Sequence, residues 1–431
     1  MEIPVKHWIK LTLLASLALF VTACSVNPVT GQKELSFMSP EQEVALGAQH
    51  YRPSQQAQGG RYVVDPELNL YVNQVGQKLA AVSDRRELPY EFVVLNNNVP
   101  NAWALPGGKI AINRGLLVLL DDEAELAAVL AHEVVHAAAR HSAKQQTQGT
   151  LMNVGLMAAG VALATQDQEA AGLAVGALGV GAQAWQARYG RSQELESDAY
   201  GIQYMIRAGY DPQGAVELQK TFVKLSQGQQ GGLIDSFFAS HPPSQERVAA
   251  NQKLAAQHPG GVRNRAEYQR AIAQLKKDQP AYDDYQNALK ALGEDEVNKA
   301  QQLVDNAIAK QPKENLFWEL KGRIKANQKD LDGAAQAFGK SVAANPEFFR
   351  PYVYRALAYR QLDKPDASAA DLEKSMQLLP TQIASYYLGE YALQKGDRQK
   401  AANYFQQAVE GGGEIGQAAQ AQLQKLQQPQ T

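Results

Sequence analysis

The sequence predicts a mainly α-helical protein whose N-terminal half contains a small β-sheet and whose C-terminal part is an all-α array. Three observations favour this fold class. Apolar residues recur at helical spacing in segments such as Pro66 to Val82, only short runs between residues 90 and 113 have strand character, and prolines recur every 34 residues after residue 281. At 431 residues the chain is also too long for one ordinary core, so two or more domains are expected.

Composition excludes some classes of protein. The hydrophobic share of 45% and the charged share of 20% are typical of a globular chain. The formal net charge is only −2, and the lysines and arginines are dispersed, so no nucleic-acid partner is indicated.

Residues 1–23 have the pattern of a secretory signal. Lys6 and Lys10 precede the largely apolar run from Leu11 to Val21, which is too short for an ordinary membrane span. The segment Val21-Thr22-Ala23-Cys24 resembles the lipobox of bacterial lipoproteins, which implies that the single cysteine, Cys24, is lipidated and begins the mature chain. Ser25 after it resembles lipoproteins sent to the outer membrane. An uncleaved anchor or a different cleavage position is the alternative.

The first elements predicted after Cys24 are packing helices and a small sheet. Ser39 is placed to cap a helix that starts at Pro40, with Gln42 three residues after the cap, and a second helix is expected from Pro66 to about Val82. The run from Tyr90 to Leu95 and the run from Lys109 to Asn113 have strand character, and the Pro-Gly-Gly turn lies between extended pieces. Such an edge either pairs with an extended peptide substrate or simply supports the next helix.

The segment from Ala131 to His141 contains the pattern His-Glu-x-x-His. On a helix, His132 and His136 project from one face and can bind one metal ion, with Glu133 beside them. Zinc is the expected ion, one per chain, because imidazole and carboxylate ligands with an open position suit it. Asp121, Asp122 and Glu123 place negative charge at the predicted helix start, and the helix is expected to run to about His141 or beyond. His141, five residues after His136, is predicted to turn away from the ligands and to stay off the metal.

Two later segments complete the predicted site. Glu194 and Asp198 are four residues apart and share a helix face, so Glu194 can be the third zinc ligand while Asp198 fixes the tautomer of a ligand imidazole; Glu196 points elsewhere. His241 lies in an irregular loop that ends at Arg247. It is predicted to stabilise the oxyanion of a reaction intermediate or to occupy the open metal position in a resting form, and a plain helix-start loop is the alternative.

The stretch from Gly149 to Trp185 is rich in Gly, Ala, Leu and Val. Its two apolar lengths are each shorter than the roughly 20 residues that cross a bilayer as a helix. A helical hairpin packed on the preceding domain is expected, and a membrane-touching or mobile lid segment is the alternative.

A repeat array follows a connecting helix predicted at 263–280. Pro312, Pro346 and Pro380 are separated by the period of a tetratricopeptide repeat, and small and aromatic residues recur in register with them. Four repeats and a final helix fit between residue 281 and the Gln-rich tail. The aromatic residues are expected to form the core of the array.

Four motifs together resemble one peptidase family. They are His132 to His136, Glu194 with Asp198, Asn101 to Gly108, and Ser240 to Pro242. They look like the gluzincin metallopeptidases of the HtpX and CAAX prenyl protease type, peptidase family M48, and the early Asn27-Pro28-Val29-Thr30-Gly31 is similar to that of secreted lipoprotein members.

This resemblance implies a zincin-like α+β metalloprotease domain at 24–262, followed by the tetratricopeptide solenoid at 281–431. It further implies zinc endopeptidase activity, with His132, His136 and Glu194 as ligands and Glu133 as catalytic base. The expected protein is a lipid-anchored periplasmic protease that degrades misfolded or misassembled envelope proteins. The repeats are expected to recruit clients or the outer-membrane assembly machinery. A chaperone or assembly factor with little proteolysis is the alternative.

Overall fold

A computed structural model of the chain describes residues 24–150, 189–228, 238 and 240–427. The predicted signal segment, residues 1–23, lies outside the described residues. So does the predicted hairpin or lid, apart from residues 149 and 150, which continue a helical stretch.

The chain divides into two compact units. Unit 1 comprises Met1–Tyr51, Asn69–Val94 and Asn98–Ala271, and unit 2 comprises Arg52–Leu68, Leu95–Asn97 and Ile272–Thr431. Among the helices that the structure describes, none has the length and apolar character needed to cross a membrane.

The strands form two small sheets. They are β1 (Cys24–Val26), β2 (Lys33–Leu35), β3 (Glu91–Leu95), β4 (Ala102–Leu105) and β5 (Lys109–Asn113). β1 pairs with β2, and the second sheet has the order β3-β5-β4, so β4 is an edge strand. The predicted turn between β4 and β5 is present, and Gly107 and Gly108 in it have φ of 74° and 81°, which favours glycine at both positions.

The helices before the repeats are α1 (Pro40–Ala57), α2 (Pro66–Ala80), α3 (Arg114–Leu117), α4 (Glu123–Ala138), α5 (Arg191–Arg207), α6 (Gln213–Gly228), α7 (Gln245–Ala255) and α8 (Arg265–Ala271). The predicted cap of α1 is confirmed, because Gln42 N donates to Ser39 Oγ over 3.3 Å and Ser39 N donates to Gln42 Oε1 over 2.8 Å. α2 lies where it was predicted.

The predicted end of α4 was wrong. The helix stops at Ala138, Arg140 adopts a φ of 60°, and helical structure resumes over residues 141–150. A left-handed conformation costs a non-glycine residue about 1 kcal/mol. The buried Arg140 guanidinium offsets that cost, because it donates to the buried carboxylate of Glu43 and to the carbonyl of Met38.

The C-terminal helices are α9 (Ala273–Gly293), α10 (Val297–Lys310), α11 (Asn315–Asn327), α12 (Leu331–Ala344), α13 (Arg350–Gln361), α14 (Pro365–Leu378), α15 (Gln382–Gln394), α16 (Arg398–Glu410) and α17 (Gly413–Gln427). They form the four predicted pairs and a final helix, and the recurring prolines lie between pairs. The predicted connecting helix is instead divided between α8 and α9, because Ile272 (φ −96°, ψ 6°) interrupts it.

The repeat array is packed by small residues against aromatic ones. A Cβ on Gly322 of α11 would lie 2.5 Å from the ring of Phe338 on α12, and a Cβ on Gly389 of α15 would lie 2.6 Å from the ring of Phe405 on α16. Both rings are buried. The aromatic residues predicted to form the core do so at these positions. The fold class is therefore confirmed, an α+β unit with small sheets and an all-α repeat array.

Candidate metal centre

Two helices bring the predicted ligands together. α4 carries His132 and His136, and α5 carries Glu194. His132 Nε2 lies 3.5 Å from Glu194 Oε2, and His136 Nε2 lies 3.3 Å from Glu194 Oε1. α5 approaches α4 closely at Gly201, where an added Cβ would lie 3.3 Å from the backbone nitrogen of His132.

Asp198 lies against His132 and orients its ring. Its Nδ1 lies 2.9 Å from Asp198 Oδ1, so the ring hydrogen is on Nδ1 and the Nε2 lone pair faces Glu194 and His136. Asp198 is itself held by Arg247 of α7, whose Nε and Nη2 donate to its two oxygens over 2.6 and 2.7 Å.

Arg247 is the main residue that sequence analysis did not assign. Besides its contacts with Asp198, its Nη1 donates to Glu194 Oε2 over 2.7 Å and to the carbonyl of Pro242 over 3.2 Å. Burial raises the pKa of Asp198, but the Arg247 guanidinium outweighs that effect and holds the pKa below its usual value. A local signal existed in the sequence, since Ser244 caps α7 and fixes Arg247 at the third position of the helix beside the His241 loop.

The His241 loop reaches the same cluster. His241 Nδ1 lies 3.1 Å from Glu194 Oε1, and His241 Nε2 lies 3.7 Å from Glu133 Oε1. One donor atom from each of His132, His136, Glu194 and His241 lies within 4.8 Å of the others, and all four residues are buried. The loop therefore lies beside the predicted ligands, and the role of His241 as oxyanion donor or fourth ligand stays a prediction.

Glu133 faces the cluster with an unsatisfied oxygen. Its side chain is buried, and Oε2 has no hydrogen-bond partner among the described residues. Burial raises the pKa of the carboxyl group. The adjacent cleft is lined by Glu133 and His132, by Ala102 of the edge strand β4, and by the apolar Met205 and Phe222. An unpaired carboxylate oxygen on a cleft is placed to accept a proton from a bound molecule.

Two residues contact the second ligand from behind. The ring of Tyr189 stacks on His136 with 3.7 Å between centroids, and His141 Nδ1 lies 2.9 Å from His136 Nδ1. The break after Ala138 explains the contact of His141, because a continuous helix would have turned it away. His141 is buried, off the cluster of donor atoms but directly against one of its members.

The donor set fits a zinc ion. The Nε2 atoms of His132 and His136 are 3.0 Å apart and face the same carboxylate, a grouping of lone pairs that a cation would satisfy. Burial lowers the pKa of His132, but the carboxylates of Glu194 and Asp198 outweigh it and raise the pKa to about 10, so these two carboxylates favour a positive charge at this position. Burial holds the pKa of His136 well below its usual value.

Residues 66–255 match the model of peptidase family M48. The chain contains an M48 peptidase domain. This confirms the family indicated by the motifs, and the matched range includes His132, His136, Glu194 and His241.

Several named proteases are similar to this region of the chain. The chain is 35% identical over 192 residues to the β-barrel assembly-enhancing protease of Yersinia pestis, which covers 43% of this chain and 38% of that protein. It is 29% identical over 236 residues to a putative β-barrel assembly-enhancing protease of Vibrio cholerae, covering 54% and 48%. It is 31% identical over 232 residues to the mitochondrial metalloendopeptidase OMA1 of Schizosaccharomyces pombe, covering 53% and 66%. The matched region is thus less than two thirds of each relative.

Proposed function

We propose that this protein is a zinc-dependent endopeptidase of the bacterial cell envelope that degrades misfolded or misassembled outer-membrane proteins. The observation that carries this proposal is the convergence of His132, His136 and Glu194 beside the buried carboxylate of Glu133, whose Oε2 has no hydrogen-bond partner among the described residues. The M48 domain and the relatives named as proteases support the same activity.

His132, His136 and Glu194 would hold the zinc ion, which when bound supplies Lewis-acid chemistry that activates water and polarises a peptide carbonyl. Glu133 takes the proton of the attacking water and passes it to the leaving amine. Asp198 keeps His132 in one tautomer, and Arg247 keeps Asp198 and Glu194 charged and in place.

His241 lies where it can donate to the developing oxyanion. The same imidazole is near enough to the other donors to be a further metal ligand in a resting form, and this is the alternative role of His241. The edge strand β4, whose Ala102 lines the cleft, would be the strand along which an extended peptide substrate pairs.

The remaining parts of the proposal concern location and clients. Cys24 would carry the lipid that anchors the protein to the periplasmic face of the outer membrane. The repeat array at 281–431 would recruit unfolded envelope proteins or the assembly machinery to the protease domain at 24–262, since stacked helix pairs present extended surfaces for protein binding.

The catalytic assignment is tested by two substitutions with different outcomes. Glu133→Gln keeps all three ligands, so the protein is expected to retain about one zinc per chain while cleavage of an unfolded protein falls by at least ~1000-fold. His136→Ala removes a ligand and is expected to lower the zinc content measured by metal analysis. Cleavage by the Glu133→Gln protein at the wild-type rate would exclude Glu133 as the base.

The alternative is a chaperone or assembly factor in which the repeats do the essential work, a role that the separate repeat array favours. Complementation of a deletion strain separates the two functions. Loss of rescue by the Glu133→Gln variant supports proteolysis, whereas full rescue supports binding. The clients are then identified by isolating proteins trapped on the Glu133→Gln variant in cell envelopes.

A further inference from the structure

A polar chain leads from His136 away from the ligand cluster. The first link is His141, which the helix break after Ala138 brings to 2.9 Å between the two Nδ1 atoms. On an unbroken helix five residues turn through about 500°, which would place His141 about 140° away from His136. The contact therefore depends on Arg140, the residue with a φ of 60°.

Once His136 Nε2 is a metal ligand, the hydrogen bonds that link His136, His141 and Glu196 can have only one donor-to-acceptor direction. The ring hydrogen of His136 is then on Nδ1 and donates to His141 Nδ1. His141 consequently carries its hydrogen on Nε2, which lies 3.2 Å from the carboxylate oxygen Oε1 of Glu196. Each imidazole in the chain thus donates one hydrogen bond and keeps one lone pair for its other neighbour.

The chain ends in the hairpin that follows Cys24. Asn27 Nδ2 donates to the same oxygen of Glu196 over 3.3 Å. Asn27 is 2% exposed, and its Oδ1 accepts from the backbone nitrogens of Val29 and Thr30 over 2.9 and 3.3 Å, which fixes the side chain in the turn between β1 and β2. The amide is therefore held by its own loop and directed at Glu196.

We propose that His141 is a positioning residue for the metal ligand His136, anchored through Glu196 to Asn27 of the N-terminal hairpin. This inference rests on the proposed zinc site. Asp198 orients His132 directly. His136 would be oriented by His141, which in turn donates to the carboxylate of Glu196. This chain of hydrogen bonds also gives Asn27, the first residue of the Asn-Pro-Val-Thr-Gly motif, a structural role. Asn27 has no other role in the proposed reaction.

The test is the zinc affinity of the purified full-length protein, measured by competition with a chelator for Zn²⁺. His141→Ala removes the acceptor for His136 Nδ1–H, and the dissociation constant is expected to rise by about 10-fold or more. In His141→Asn the amide oxygen takes the place of the ring Nδ1, and the constant is expected to stay within about 3-fold of wild type. Melting curves of the zinc-free proteins show whether each variant is folded.

Glu196 gives a second variant with little risk to folding, because its side chain is 24% exposed. Glu196→Ala is expected to weaken zinc binding by about 3-fold or more, while Glu196→Gln, which still accepts from His141, binds as wild type. The control is His258→Ala, which removes an exposed histidine of the same unit and leaves affinity unchanged.

Three results would overturn the inference. They are wild-type zinc affinity in both alanine variants, an equal loss in His141→Ala and His141→Asn, and an equal loss in Glu196→Ala and Glu196→Gln. Failure of the proposed zinc site is distinct, because the wild-type protein would then fail to bind zinc at all. Failure of the proposed proteolysis alone would appear as wild-type protein that binds zinc but does not cleave an unfolded protein.

Discussion

The metal cluster of unit 1 and the glycine–phenylalanine contacts of the repeat array in unit 2 are packed in different ways. In the cluster, buried charges and imidazoles from α4, α5 and α7 hold one another, with Arg247 bridging Asp198 and Glu194. In the array, Gly322 packs against the ring of Phe338, and Gly389 packs against the ring of Phe405. The cluster depends on matching charges and hydrogen bonds, whereas these contacts of the array depend on matching volumes.

Pairs of a small and a larger residue recur along the array, but the residue types differ from one repeat to the next. The residue pairs at corresponding positions are Ala288 with Val304, Gly322 with Phe338, Ala356 with Leu372, and Gly389 with Phe405. Where the first residue is glycine the second is phenylalanine, and where it is alanine the second is smaller. Ala356 and Leu372 belong to one buried cluster. A smaller residue at the first position thus accompanies a larger one at the second, which is how packed cores accommodate different residues.

Replacing Arg247 by methionine is expected to produce the largest effect on stability. The change keeps much of the side-chain volume but leaves the buried carboxylates of Asp198 and Glu194 without their cation, so the zinc-free protein should lose roughly 3–5 kcal/mol of unfolding free energy. Added zinc should restore part of that loss, because the ion neutralises Glu194. Urea denaturation followed by circular dichroism, with and without zinc, measures both effects.

The control for that experiment is Arg191→Met, since Arg191 makes an ion pair with Glu246 in which the side chains are 77% and 43% exposed. A change below about 0.5 kcal/mol is expected there. Equal losses in the two variants would mean that burial of the charges contributes nothing.

Gly322→Ala should give a smaller effect that a second substitution reverses. The new Cβ would overlap the Phe338 ring, and overpacking of this kind costs about 1–3 kcal/mol. Gly322→Ala combined with Phe338→Leu recreates the Ala356 and Leu372 pair and should recover most of the loss. A double-mutant cycle by chemical denaturation measures the coupling. Additive losses would show that volume matching does not govern the array.

The smallest predicted effect is a pH dependence at Glu125, near the start of α4. Burial raises the pKa of its carboxyl group to about 7, and the nearby Asp122, Asp121 and Glu217 act in the same direction, while the hydrogen bond from Asp121 N opposes them. Since the folded pKa exceeds the unfolded one, the stabilisation is fully present below pH ~4.5 and is lost as pH rises through ~7.

Glu125→Gln removes that titration. The stability difference between pH 5 and pH 8 should therefore shrink by roughly 1 kcal/mol in the variant, with its unfolding free energy highest relative to wild type at pH 8. Thermal unfolding at the two pH values measures this. If the Glu125→Gln protein shows the same stability difference between pH 5 and pH 8 as the wild type, the pH dependence comes from other titratable groups.

Much of the fold and of the site was predictable because it depends on short spacings. The helix cap at Ser39 and the spacings around Glu133 and Glu194 involve residues close together in the sequence. The same is true of the strands and of the repeat period. The extent of α4 was not predictable, because Arg140 leaves the helical conformation at a point where its guanidinium binds the carboxylate of Glu43, which is 97 residues away.

The sequence by itself determined the donors on α4 and α5 and the number of helix pairs, since both follow from periodicities within single elements. Only the tertiary structure decided which residues orient those donors. Arg247 meets Asp198 across 49 positions and Asn27 meets Glu196 across 169, and such contacts exist only after the helices and the N-terminal hairpin have packed. Local spacing can select the ligands of a metal, but their orientation depends on side chains that folding brings from distant parts of the chain.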